Sequence, residues 1–179
     1  MNSNELLLDL IDENVGWVHW LLGEVSEDCL YWYADEGGNN IAVTLWHVTR
    51  VFDLFYTQHI LNESWEKERW WASGWAERSG YDPQGVGVHG WGTLQGYTRA
   101  EVEAIPPLGK EILQGYFDEV LGMIRGYVAE LEEDEWRAMA PGFEGKQSNY
   151  FWIRAPFLDM VRHIGEMVAL KDMWMRVER

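Results

Sequence analysis

Asp159, His163 and Glu166 lie in the stretch Asp159-Leu-Met-Val-Arg-His163-Ile-Gly-Glu166-Met167. Apolar residues recur at helical spacing around it, from Ala155 to about Val177, so the stretch reads as a helix. Positions i, i+4 and i+7 then share one narrow stripe. Two carboxylates and an imidazole so placed suit a metal ligand set or an acid/base site. The same stripe would also serve as a solvated or hydrogen-bonded structural edge. A second histidine, His47, falls in the middle of a mostly apolar helical face with Thr44, Val51, Leu54 and Gln58. An imidazole there must find a partner: a metal, a carboxylate on another helix, or a backbone carbonyl. If the two faces meet, His47 and His163 approach each other inside the molecule.

The remaining histidines and the cysteine read differently. His59 lies about 120° round the helix from His47, so the two cannot point at one central site. His19 borders the stripe of Leu8, Val15 and Leu22 and reads as a satisfied core-edge residue. His89 sits in Val-Gly-Val-His-Gly-Trp-Gly, a loop that could wall a pocket. Cys29 is the one cysteine of the chain. No histidine accompanies it in a recognisable pattern, which makes it an inert thiol and rules out an intrachain disulfide.

Four long helices are expected to position these residues. The first runs from Asn4 to Val25 after Ser3 as N-cap, and the second from Ile41 to about Leu61 after Asn40. The third runs from about Leu108 to Glu132, after Pro106-Pro107, and the fourth carries His163. A short capped helix opens at Thr98-Arg-Ala-Glu101. Between the second and third long helices, residues 62–97 lose periodicity. They hold Trp65, Trp70, Trp71, Trp75 and Trp91 among many glycines, with a short helix near Trp65 to Ala76 and a weak strand signal near Val86 to Trp91. A long aromatic loop in a compact domain commonly forms a lid or pocket wall. It is no phosphate loop, because no strand precedes it and no Gly-Lys-Ser/Thr follows. The pattern predicts an all-α four-helix bundle over 1–179 as one domain, with an aromatic, Gly-rich insertion between the second and third helices.

Composition narrows the function. At 47% hydrophobic and 25% charged residues the chain is globular. Its net charge of −16, with no cluster of Lys or Arg, repels phosphate backbones, so no nucleic acid is expected as partner. No run is long enough to span a membrane and no leader pattern opens the sequence, so a cytoplasmic protein is expected. Twelve tryptophans exceed what a core of this size needs, and some are expected to line a pocket.

The two short motifs Leu45-Trp46-His47-Val48-Thr49-Arg50-Val51 and Arg162-His163-Ile164-Gly165-Glu166-Met167, on helices in this order, resemble the DinB/YfiT-like family. The resemblance spans essentially the whole chain. It implies a four-helix bundle, often a homodimer, with a divalent metal such as zinc or nickel. The family holds that metal with one histidine on the second helix and a His-x-x-x-His pair on the fourth. It also implies a metal-dependent hydrolase, or a transferase using low-molecular-weight thiols, acting on a small molecule. The alternative is a bundle that binds a small ligand, or serves structurally, without metal. His47 and His163 carry over. Met167 stands where the family's last histidine is expected, and a thioether is a poor ligand for zinc or nickel. Glu166 is then the candidate third ligand, with Asp159 orienting His163. Met167, Trp46 and His89 are expected around the site. On this alignment, a histidine at 167 would complete the triad.

Overall fold

The structure, a computed structural model, describes residues 2–178. Its long helices are α1 (Ser3–Glu24), α3 (Ile41–Leu54), α7 (Lys110–Glu130) and α8 (Asn149–Val177). Four short helices lie in the connections: α2 (Glu27–Leu30), α4 (Arg69–Ala72), α5 (Trp75–Ser79) and α6 (Arg99–Glu103). α1 and α3 each pack against both α7 and α8, which makes a four-helix bundle. Among the described residues there is no strand, only an isolated bridge between Met139 and Ser148. The weak strand signal near Val86 to Trp91 is instead a single 3₁₀ turn, Val88–Gly90. No described helix is long and apolar enough to cross a membrane.

Local chemistry sets the helix ends. Asn2 rather than Ser3 caps α1, in a reciprocal capping box with Glu5. Asn40 caps α3 by accepting from the Val43 N–H at 2.8 Å. Thr98 and Glu101 form the expected box at α6. α8 begins at Asn149, six residues before the expected start, because Ser148 caps it and Pro156 is accommodated inside. That proline lacks an N–H, so one helical hydrogen bond is missing there.

The second long helix departs from expectation at its C-terminal end. Phe55–Ile60 is a π turn, one residue wider than an α turn. The extra residue rotates His59 into the interior. His59 is buried, with its ring 4.2 Å from Trp152, 5.3 Å from Phe55, 5.5 Å from Trp91 and 5.3 Å from Phe143. Its backbone carbonyl accepts from the Gly142 N–H at 2.9 Å, and any Cβ at 142 would lie 2.2 Å from the Gln58 carbonyl. Only glycine fits that approach.

Burial pushes the His59 imidazole down to about 4. An unfolded histidine titrates near about 6.5. Between these values the unfolded chain binds a proton that the native state refuses, so stability falls as pH falls through the window. The expected loss is about 2–3 kcal/mol between pH ~6.5 and pH ~4. Urea unfolding across this range checks it. His59→Phe should flatten that part of the pH profile whatever its absolute stability.

Candidate metal site

His47 on α3 and His163 on α8 face each other, with ring centroids 5.2 Å apart. Asp159, one turn before His163, sits between them. Its Oδ2 lies 3.4 Å from His47 Nε2 and 3.7 Å from His163 Nε2. One donor atom from each of the three residues lies within 4.8 Å of the others. Two ligands on a tetrahedral zinc, at bonds of about 2.0–2.1 Å, are separated by roughly 3.3 Å. The two distances to Asp159 are close to that value.

Each imidazole is held by its other nitrogen. His47 Nδ1 is hydrogen-bonded to the Thr93 carbonyl. His163 Nδ1 lies 2.6 Å from Glu166 Oε2. A carbonyl or carboxylate on Nδ1 keeps the proton there and leaves the Nε2 lone pair free for a ligand. Both Nε2 atoms face Asp159. Arg162 Nη2 donates to Asp159 Oδ1 at 2.7 Å, which occupies the outer oxygen and turns Oδ2 inward. When His47 carries a proton on Nε2 as well, its hydrogen bond holds the Asp159 carboxyl below the usual carboxylate range, against the opposing effect of burial. Two neutral imidazoles and one ionised carboxylate form a donor set suited to a divalent metal.

By position, Asp159 rather than Glu166 lies beside both Nε2 atoms. Asp159 groups with the two histidines, and Glu166 lies on the far side of His163, against its Nδ1. Glu166 remains 43% exposed on its side chain and does not line the cavity. Met167 is fully buried in the core with Met160 and Ile164 and is absent from the cavity wall. The i, i+4 pair facing His47 is therefore Asp159–His163, not His163–Met167. Met167→His is accordingly expected to bind zinc no better than the wild type. It should also lower stability by about 2–3 kcal/mol, by burying an imidazole without a partner. Thermal melts and titration calorimetry on tag-free protein check both.

Trp46 and His89 also differ from expectation. Trp46 is fully buried, edge-on to Trp70 and Tyr81, and does not line the cavity beside the donors. His89 is exposed and rests on Trp91 at 4.6 Å between centroids.

A cavity of about 660 Å³ opens onto the three donors. Phe55, Trp91 and Leu94 are among its apolar lining residues, with Gln95, Tyr97 and Arg99 among the polar ones. Of the five tryptophans expected in the wall, Trp91 alone lines it. Trp70 and Trp75 are core, and Trp65 packs edge-on against Trp71. Leu94, in the wall, holds a left-handed φ of +73°, a conformation costly for a branched side chain.

Sequence reasoning missed the group that fixes this wall. Arg50, one turn after His47, is fully buried. Its Nε donates to the Gly92 carbonyl and its Nη2 to the Trp91 carbonyl, both at 3.3 Å. Thr93, the next residue, supplies the carbonyl on His47. Three successive backbone oxygens thus dock on two side chains of α3. Gly92 is required in this turn: its φ is +62°, and a Cβ would meet the Pro83 carbonyl at 2.6 Å. Arg50 Nη1 pairs with Glu68 Oε2 at 2.5 Å and Asp53 Oδ2 at 3.4 Å. Asp53 also accepts from the Tyr116 hydroxyl at 2.8 Å and from the N–H groups of Arg69 and Trp70, at the start of α4. The i, i+3 spacing of His47 and Arg50, and the Gly-Trp-Gly-Thr of 90–93, are the only local signals of this arrangement.

The all-α bundle agrees with a comparison against protein families, in which the DinB superfamily matches residues 12–167. The chain belongs to the DinB superfamily. A crystal structure of a conserved protein from Enterococcus faecalis shares the DinB-like bundle, with a TM-score of 0.77 over 96% of each chain at 14% identity. That likeness concerns the fold. No curated protein matches the sequence. On its last helix this chain reads Asp159-x-x-x-His163-x-x-x-Met167.

Proposed function

We propose that this DinB protein is a metal-dependent enzyme acting on a small molecule, as a hydrolase or a thiol-dependent transferase. In this reading His47, Asp159 and His163 are the ligands. The observation that carries it is the orientation of the two imidazoles. Both Nδ1 atoms are occupied by oxygen partners, and both Nε2 atoms turn toward one carboxylate oxygen. A core polar cluster needs no such shared direction, whereas a metal site does.

A divalent ion held there supplies Lewis acidity, making water or a thiol nucleophilic at neutral pH and polarising a substrate oxygen. The protein's own groups do the rest. Glu166 and Thr93 hold the imidazole protons on Nδ1. Arg162 keeps Asp159 ionised and directed inward. Phe55, Trp91 and Leu94 exclude water from one side of the cavity, and its volume suits a small organic substrate. The carboxylate adds a negative charge that a third histidine would lack, and it favours a harder divalent ion than an all-imidazole set would.

Metal content decides between this reading and a metal-free ligand binder. Protein made without a histidine tag should retain close to one equivalent of divalent metal by mass spectrometry. It should hydrolyse ester or amide probes, or transfer a thiol, only when loaded. Full retention of small-ligand binding after chelation, with no stoichiometric metal at any stage, would favour the binder.

A further inference from the structure

Three segments lay out the length of the cavity beside the donors. On α3, His47, Val51 and Phe55 line it at i, i+4 and i+8, one stripe of the helix. α8 runs antiparallel to α3: His163 faces His47, while Trp152, three turns earlier, packs on Phe55 at 4.9 Å between rings. Residues 91–99 form the third wall and also run against α3. Trp91 packs on Phe55 at 6.4 Å, and the Thr93 carbonyl meets His47. Arg99 Nη1 then donates to the Gly38 carbonyl at 3.2 Å, just before the Asn40 cap. The donors therefore divide the cavity into two ends. At 1.5 Å per residue, Phe55 lies about 12 Å along the helix from His47, and Asn40 about 10 Å the other way. Phe55 and Trp91 stand at the apolar end, and Arg99, Arg162 and Glu36 at the charged end.

The charged end keeps guanidinium donors in reserve. Arg99 Nε donates to Glu103 Oε1 at 2.8 Å, and its guanidinium carbon lies 4.8 Å over the Tyr33 ring. With Nη1 on Gly38, its Nη2 has no partner among the described residues. Arg162 engages Asp159 through Nη2, which leaves its Nε and Nη1 likewise open among the described residues. The balance of charge is also local. The chain has 14 Lys and Arg against 30 Asp and Glu, yet around this cavity the signs are equal, Arg99 and Arg162 against Glu36 and Asp159. Of those two carboxylates, Asp159 is already turned to Arg162 and the histidines. A protein of net charge −16 repels anions at long range, so an anion needs such a pair to be held. The guanidinium fork matches the two oxygens of a carboxylate. A phosphate dianion would bring a second charge toward Glu36, so a single negative charge suits this end better.

We propose that this cavity takes a carboxylic acid with an apolar body. The body lies on Phe55 and Trp91, the reacting bond at His47, Asp159 and His163, and the carboxylate on Arg99 and Arg162. Arg99 is then a specificity residue: it reads the acid group and touches none of the three donors. For the reaction this inference rests on the metal-dependent reading above. For binding it does not, since the arginines and the aromatic rings belong to the chain itself. Arg99 is also the cleaner of the two arginines to alter, because Arg162 orients Asp159 as well.

Hippurate, which is N-benzoylglycine, has this layout: a phenyl ring, a central amide and a carboxylate. Hippuramide differs only in carrying a neutral amide in place of the carboxylate. Titration calorimetry with each, on tag-free full-length protein both metal-free and zinc-loaded, tests the proposal. Hippurate is expected to bind at least about tenfold more tightly than hippuramide in both forms, the scale of hydrogen bonds to a charged group. Arg99→Gln should remove most of that preference while leaving the affinities for hippuramide and for zinc unchanged. Equal affinity for acid and amide overturns the proposal, and so does a preference that survives Arg99→Gln. A preference seen only with zinc bound would put the carboxylate on the metal and overturns its assignment to the arginines. A protein that takes up no zinc yet keeps an Arg99-dependent preference overturns the metal reading and supports the acid as ligand.

Discussion

Asp159→Asn is expected to lower zinc affinity at least about 100-fold in tag-free protein, which corresponds to about 2.7 kcal/mol. The substitution keeps the shape of the side chain, and its amide can still meet Arg162. What it removes is the negative oxygen that lies 3.4 Å from His47 Nε2 and 3.7 Å from His163 Nε2. A neutral amide oxygen is a far weaker ligand for a divalent ion. Glu166→Gln provides the comparison. Its amide oxygen can still accept the His163 Nδ1 proton, so only the strengthening of that imidazole is lost. About a tenfold fall is expected there, at the lower end of what such outer partners contribute. Titration calorimetry gives both values. If Asp159→Asn binds as tightly as the wild type while Glu166→Gln loses most of its affinity, the carboxylates have the roles first expected from the sequence. Affinity of the wild type should fall in acid, because both imidazoles must be neutral to bind.

Arg50→Met should be the most destabilising single substitution near the site, by about 3–5 kcal/mol. Methionine fills much of the volume but leaves Asp53 and Glu68 buried without a cation. Burial already pushes both carboxyls up, and Arg50 is the main influence opposing it. Without Arg50 they rise further. A carboxyl whose folded value lies above its unfolded value costs stability at high pH, and that cost fades as pH falls. The defect should therefore be greatest near neutrality and shrink toward pH ~5, near the unfolded carboxylate range of about 4. Urea unfolding at several pH values measures this. A uniform loss across pH would mean that packing, not charge, is what Arg50 contributes. The loop it holds also carries Thr93, so Arg50→Met should loosen His47 and weaken metal binding in the fraction that folds.

Much of the frame was legible from spacing. Apolar periodicity located α1, α3, α7 and α8, and Asn40 and Thr98 announced their caps. The meeting of His47 and His163 followed from two polar residues placed on inward faces. Periodicity could not say which neighbour of His163 joins them, because Asp159 and Met167 each lie one turn away. A signal was present nonetheless. Met160, Ile164 and Met167 form the apolar row of α8, and a residue in that row turns to the core. The Arg50 cluster was illegible because its members, Asp53, Glu68, Tyr116 and the 91–92 carbonyls, meet only when the insertion folds back. The burial of His59 was not legible, because the wider turn that carries it departs from the 100° step.

That wide turn has a consequence for how this chain tolerates change in length. A π turn is an α-helix carrying one surplus residue, accommodated without shifting the rest of the frame. Removing a single residue from Phe55–Ile60 need not break the helix. It would let the hydrogen bonds close one step tighter, as an ordinary α turn. Only the side chains inside the turn would be re-aimed, while the chain after it kept its frame, and the aromatic side chains that now surround His59 would lose their common centre. Upstream, His47 and Arg50 would keep their register. Phe55 and Trp91 belong both to the cavity beside the donors and to the aromatic surround of His59, so such a deletion would alter a wall that the two share.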